Sequence, residues 1–200
     1  MIIVIYGING VGKDRIAKKI SKTNSKILVV SQSKLLMYHL GITNGFTSDT
    51  KAEPSAYKKL ESIKEKRITR LGETVCRKTL LDLSASGKIV LYLSHLAVAK
   101  FFQKKDDRSA SKPVGWVKKE ADGLIFIRAD LKDILVWRKK DERKRTENLT
   151  EINLQQQTAE KQWRELVKKT SVPHIVIQNR PLRMRETVKI LTEFIRIIGG

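Results

Sequence analysis

Five short runs rich in Ile, Val and Leu punctuate the chain, at residues 2–6, 26–30, 88–93, 123–128 and 173–178. Each is continuously apolar rather than alternating, which suits strands buried on both faces of a parallel sheet. Between the runs, apolar residues recur at helical steps. Val11, Ile16, Ala17 and Ile20 share one face after the first run. Tyr57, Leu60, Ile63, Ile68, Leu71 and Val75 do the same within 55–85, where Gly72 is expected to break or kink the pattern into two helices. Asp130 is placed to cap a helix that carries Asp133 in its first turn and runs toward a basic cluster near Arg143. A helix from about Thr150 is predicted to bury Ala159, Trp163, Leu166 and Val167. A last one from about Arg183 is predicted to bury Val188, Leu191, Phe194, Ile195 and Ile198.

Strand and helix therefore alternate, and that order predicts an α/β three-layer sandwich around a five-stranded parallel sheet with right-handed crossovers. The 200 residues suit one domain with a substantial core. Segments 43–54 and 103–114 are polar and read as loops. In such folds the loops on the carboxyl side of the strands surround the ligand. No apolar run approaches the roughly 20 residues needed to cross a bilayer, so no membrane partner is expected. The first residues lack the basic leader and cleavage site of a signal peptide, and the fold is expected to start at Met1. The single cysteine, Cys76, excludes an internal disulfide framework and fits a reducing compartment, with the cytoplasm as the expected location. Charge changes the picture further: 41 Lys and Arg face 21 Asp and Glu, a formal +20. A chain so basic attracts polyanions, whether nucleotides, nucleic acid or an anionic surface, without selecting among them.

One motif carries specific chemistry. Gly7, Ile8, Asn9, Gly10, Val11, Gly12 and Lys13 follow the first strand-like run and open the first helix, in the spacing G-x-x-x-x-G-K of a phosphate-binding P-loop. Glycines let the backbone curl so that successive N–H groups point inward at phosphate oxygens. The helix that follows, beginning with Lys13, Asp14 and Arg15, adds its positive N-terminal end. Lys13 supplies a point charge for the β and γ phosphates. Where Ser or Thr usually ligates magnesium, this chain has Asp14. A carboxylate is also a hard oxygen ligand, so Asp14 is read as a Mg²⁺-linked variant, with ATP as the nucleotide.

The motifs together resemble the adenylate-kinase-like P-loop kinases, and most of all the archaeal adenylate kinase and its relatives. Leu91-Tyr92-Leu93-Ser94-His95 stands where that family ends a strand before Asp-Thr-His. Pro113-Val114-Gly115-Trp116 resembles a Pro/Gly-rich turn before its fourth strand. Arg128-Ala129-Asp130, then Ile134-Leu135 and Arg138, resembles its x-Ala-Asp followed by Ile-Leu-x-x-Arg. Asp141-Glu142-Arg143-Lys144-Arg145 is similar to its short lid. The resemblance implies a P-loop nucleoside triphosphate hydrolase fold with a monophosphate-binding helical insert at about 32–86 and a lid at about 138–150. It implies phosphoryl transfer from ATP to a nucleoside monophosphate. Lys13 would hold the donor phosphates, and Arg138, Arg143 and Arg145 would neutralise the transferring group. Asn179, after the last strand, lies where the family's backbone borders the adenine. Leu93 replaces the family's magnesium-linked Asp.

For the acceptor, Arg67 and Arg70 are candidates on charge and helical placement, and His95 on its position after the third strand. His39, near a helix end, and His174 are read as structural, and Trp116, Trp137 and Trp163 as packing residues. No Cys/His spacing suggests zinc, and no Gly-x-Ser-x-Gly suggests a hydrolytic nucleophile. Two other functions compete with the nucleotide kinase. One is a P-loop ATPase acting with RNA or a ribonucleoprotein, which the +20 charge favours. The other is a nucleotide-binding protein with little turnover.

Overall fold

The computed structural model describes residues 1–95, 115–141 and 145–199. Five strands form one sheet: β1 (Ile2–Tyr6), β2 (Ile27–Ser31), β3 (Ile89–Leu93), β4 (Gly123–Ala129) and β5 (His174–Asn179). All pairings are parallel, in the order β2-β3-β1-β4-β5. Every residue of β1 is buried. Successive strand side chains point to opposite faces, so helices must cover both sides of the sheet centre. Exposure grows toward the edge, where β5 alternates and leaves His174 and Val176 open. This gradient explains why the central strands read so plainly as apolar runs; each predicted strand lies within one residue of its observed ends.

The helices described are α1 (Lys13–Ser21), α2 (Gln32–His39), α3 (Pro54–Ser62), α4 (Glu65–Leu71), α5 (Arg77–Ala85), α6 (Val117–Glu120), α7 (Leu131–Lys139), α8 (Leu149–Val167) and α9 (Met184–Gly199). Helix α1 packs against α9, and α7 against α8. Ile16, Ala17 and Ile20 of α1 are buried as predicted. In α8, Ala159, Trp163 and Leu166 are buried and Val167 half-buried; in α9, Leu191 and Ile195 are buried while Val188, Phe194 and Ile198 are half-buried. The tryptophan reading holds for Trp116 and Trp163, which are buried. Trp163 stacks on Phe126 at 5.4 Å between ring centroids. Among the described residues, no helix is long and apolar enough to cross a membrane.

Three local expectations are corrected. Gly72 does not break the helix: it is buried in helical geometry (φ −61°, ψ −41°) and opens a π-helical turn at Gly72–Cys76. The break falls instead at Ile63 and Lys64, both extended. It follows a hydroxyl of Ser62 that donates back to the Lys59 carbonyl (2.7 Å) and competes with the helical ladder. The π turn also shifts the phase of the buried stripe. Cys76 and Leu80 turn inward, and Val75 is left exposed. Finally, Asp130 stands at the N-cap position of α7 as predicted, but makes no capping bond. Its carboxylate accepts from Gln178 Nε2 (3.0 Å) instead.

Burial pushes the Cys76 thiol up to about 12. Thiolate is the reactive form. Native protein at pH 8 is therefore expected to leave a disulfide reagent such as Ellman's unreacted, with one equivalent consumed only after unfolding. Rapid reaction of the folded chain would show this segment to be open.

Candidate active site

β1 lies between β3 and β4, so the loop that leaves it emerges at the middle of the sheet's carboxyl edge. Open parallel sheets bind ligands at such positions. Gly7, Gly10 and Gly12 all have positive φ, at 149°, 90° and 88°. Two of these demand glycine on packing grounds as well. A Cβ on Gly7 would overlap the Ile127 carbonyl oxygen, and one on Gly12 would sit 2.6 Å from Asn179 Nδ2. Gly12 is the N-cap of α1, and Ile16 N–H donates to its carbonyl (3.0 Å). The amides ahead of Ile16 have no acceptor within the helix, and such a helix end favours anions.

Lys13 is only 5% exposed. Its ammonium folds back into the mouth of the loop, donating to the carbonyls of Gly7 (2.6 Å) and Ile8 (2.9 Å). His95 Nδ1 lies 3.4 Å from the same ammonium and 3.2 Å from the Gly7 carbonyl oxygen. The structure thus brings together Lys13 and His95, 82 residues apart in sequence. Asp14 and Arg15, in the first turn of α1, are exposed. Asp14 makes no hydrogen bond or ion pair among the described residues. Beside His95, buried Ser94 donates to Gln32 Oε1 (2.9 Å), which ties the end of β3 to the start of α2.

Arg138 is 2% exposed. Its Nε and Nη2 donate to the Asn9 carbonyl (3.1 and 2.8 Å), its Nη1 to the Thr146 carbonyl (3.1 Å), and Nη2 also to Gln155 Oε1 (2.9 Å). Burial pulls its pKa down, opposed by the nearby charges of Asp141 and Glu151. A guanidinium nevertheless stays protonated in proteins. All its nitrogens are met by acceptors of the protein itself. Arg145 pairs with Asp141 (3.1 Å). Asn148 caps α8, accepting from the amides of Thr150 (2.9 Å) and Glu151 (3.2 Å). Arg143 and Lys144 lie outside the described residues, as do Pro113, Val114 and the predicted loop at 103–114.

Asn179 is 1% exposed; its Nδ2 donates to the Val11 carbonyl (2.8 Å), and its Oδ1 has no partner among the described residues. The last residue of β5 therefore braces the phosphate loop from the side of α1. Replacing it by leucine removes the donor to Val11 and the orphaned acceptor together, so a cost of about 1 kcal/mol is expected. Asn179→Asp sets a carboxylate against the Val11 carbonyl and is expected to cost more, about 3 kcal/mol. Urea denaturation of the two variants measures the difference.

Arg67 and Arg70 are exposed on α4. His39 meets Thr79 Oγ1 through Nε2 (3.0 Å), and His174 meets the Val172 carbonyl through Nδ1 (3.1 Å). Two grooves open elsewhere, and no residue of the 7–13 loop lines either of them. One of about 560 Å³ opens at the ends of β4 and β5, lined by Arg128, Asp130, Gln178 and Arg180 and by Asn153 and Gln156 of α8. The other, about 500 Å³, lies between 42–53 and α3, lined by Thr43, Asn44, Thr50, Lys51, Ser55 and Lys59.

Sequence reasoning missed Gln155, Gln32 and Ser94. Gln155 carried a usable signal: with Ile152, Ala159, Trp163 and Leu166 it lies on the buried stripe of α8, a polar residue in an apolar row.

No protein-family model matches the chain, and no curated protein matches it. Solved structures do. A shikimate kinase from Bacteroides thetaiotaomicron is 10% identical, with a TM-score of 0.59 over 98% of each chain. A shikimate kinase from Acinetobacter baumannii in complex with shikimate is 14% identical, with a TM-score of 0.59 over 97% of this chain and 92% of that one. A deoxyadenosine kinase from M. mycoides with bound dATP is 14% identical, with a TM-score of 0.57 over 98% of this chain and all of the other. These matches span 97–98% of the chain, and with the parallel sheet and the glycine loop they show that it has the P-loop fold that these solved structures share.

Proposed function

We propose that the chain transfers the γ-phosphoryl group of ATP to a nucleoside monophosphate. The observation that carries this reading is the glycine loop with the Lys13 ammonium already held at its mouth, at the start of α1. Anion binding there needs only that Lys13 exchange two backbone carbonyls for phosphate oxygens. An acceptor phosphate oxygen would attack the γ phosphorus in line as the bond to the bridging oxygen breaks, leaving ADP. Such chemistry is mostly positioning and charge stabilisation. Lys13 and the loop amides of Gly7–Lys13, with Asp14 and Arg15 at the helix start, would hold the donor. Arg145, and Arg143 beside it in sequence, would approach the transferring group. His95, next to Lys13, faces the phosphate end. Arg67 and Arg70 on α4 would serve the acceptor, and Asn179 would border the nucleotide by bracing Val11. Arg138 acts in this reading through the loop it holds.

A magnesium ion fits this donor set. Among the described residues there is no cluster of three or more His, Cys, Asp or Glu. The exposed, unpaired carboxylate of Asp14 would give one hard oxygen to an ion whose other ligands are phosphates and water. Bound there, the ion would neutralise the charge on the phosphates.

A coupled assay with ATP, magnesium and a panel of nucleoside and deoxynucleoside monophosphates tests the proposal. ADP formation that depends on one of them is expected. MgATP binding with no turnover would replace this reading by that of a nucleotide-binding protein.

One observation favours a second reading, an ATPase that works with RNA. Lys58, Lys59, Lys64, Lys66, Arg67 and Arg70 are all exposed on and beside α3 and α4. An RNA partner would give an affinity that falls steeply with salt, and a structured RNA should then stimulate ATP hydrolysis.

A further inference from the structure

The buried polar hub around Arg138 joins parts that sequence keeps far apart. Asn9 is in the phosphate loop, Arg138 at the end of α7, Thr146 in the return from the arginine cluster to α8, and Gln155 within α8. Arg138 Nη2 is shared between the Asn9 carbonyl and Gln155 Oε1. Its stem packs against the loop too, since a Cβ on Gly10 would lie 3.0 Å from Arg138 Cγ. On the other side, Thr146 accepts from Nη1 through its carbonyl, while its hydroxyl donates to Glu151 Oε2 (2.5 Å). A guanidinium is planar, so acceptors placed at its several nitrogens together fix its plane. Gln155 is 3% exposed, and its amide oxygen is the side-chain acceptor among them.

We propose that Gln155 is a positioning residue for ATP-dependent transfer: it orients Arg138 so that one guanidinium ties the phosphate loop, at Asn9, to the segment that follows the arginine cluster, at Thr146. The inference rests on the donor-site reading above. Loop and segment are held in one register through two backbone carbonyls, which no substitution at Asn9 or Thr146 alone removes. Without Gln155, the bonds of Nε and Nη2 to Asn9 and of Nη1 to Thr146 remain, but Nη2 loses the side-chain acceptor that shares in holding the plane. The Nη1 bond to Thr146 then loosens, and Arg145, one residue before Thr146, loses its placement relative to the loop. Displacements of about 1 Å cost transfer reactions up to roughly 10²-fold.

The test uses the full chain and MgATP. Gln155→Leu keeps the volume and removes the acceptor; Gln155→Asn keeps the amide but withdraws it by one methylene; Gln155→Glu restores an acceptor to Nη2. Calorimetric titration with MgATP and steady-state kinetics with the best monophosphate are read together with Tm. Expected for the Leu and Asn variants are a rise in Kd and KM for MgATP and a fall in kcat, each of about 10-fold or more, with the acceptor KM unchanged. Gln155→Glu is expected to return these to within about 3-fold of wild type. A purely structural role would lower Tm without separating the two KM values or being rescued by Glu. If wild type binds MgATP and folded Leu or Asn variants bind and turn over equally well, the inference is overturned and the donor-site reading stands. If wild type shows no binding, the donor-site reading falls and takes the inference with it. Should the Leu variant not fold, the Asn and Glu variants decide the matter by the same comparison.

Discussion

Lys13→Ala is expected to lower ATP-dependent turnover by at least about 10²-fold, the scale on which removal of one preorganised charge donor acts. The size follows from position. The ammonium already sits within 3 Å of two loop carbonyls, Gly7 and Ile8, and moves into contact with a phosphate by exchanging partners. Its exposure of only 5% keeps water from screening that charge. Stability moves less and in the same direction. The substitution leaves the two carbonyls without their charged donor, worth about 1–3 kcal/mol, against which the relief of burying an ammonium is set. Lys13→Met retains the stem and separates the contributions: it should recover part of the stability and none of the turnover. Kinetics with ATP as the varied substrate, together with urea titrations, measure both. Turnover that survives either variant within a factor of a few would remove the loop from the donor site.

How much of this arrangement was legible beforehand depends on what each residue answers to. The central strands were plain because residues such as Val4, Leu91 and Ile125 are buried on either face of a parallel sheet and leave no polar alternation to misread. The loop was plain because glycine spacing followed by lysine answers to backbone geometry, and Gly7, Gly10 and Gly12 all adopt the positive φ it requires. Gly72 misled because its weak helical propensity is a local property, while its burial within a π-helical turn is a tertiary one. Asp130 marked the start of α7 correctly, but its carboxylate is claimed by a strand neighbour, Gln178 across the β4–β5 pair, rather than by the helix amides. The hub at Arg138 was only half visible. A resemblance brought the arginine to notice, but its acceptors are two backbone carbonyls and Gln155, separated from it by 129, 8 and 17 residues. Nothing in local pattern encodes such a meeting. The acceptor side stayed least legible, since Arg67 and Arg70 are exposed and no side-chain partner among the described residues marks their task.

Gly7→Ala is expected to be the most destabilising single-methyl change in the chain, at about 3 kcal/mol or more, and to abolish nucleotide binding with it. Two costs act together. The φ of 149° lies where an L side chain is strained, worth roughly 1–3 kcal/mol. The added methyl also has nowhere to go, because what it meets is the Ile127 carbonyl oxygen of β4, a backbone atom locked in the sheet, with Val11 Cγ2 at 3.0 Å on its other side. A side chain could swing away; a strand carbonyl paired on β4 cannot. The loop must therefore lift off the sheet, moving the Gly7 carbonyl that holds both Lys13 and His95. Gly41→Ala is the control. That glycine also has positive φ, at 68°, but a Cβ there meets nothing within 4 Å, so only the conformational cost of about 1 kcal/mol remains. Comparing the two variants by denaturant titration and MgATP calorimetry separates strain from collision. Equal losses would mean that the β4 carbonyl yields to the methyl, and that the loop's hold on the sheet is softer than its geometry implies.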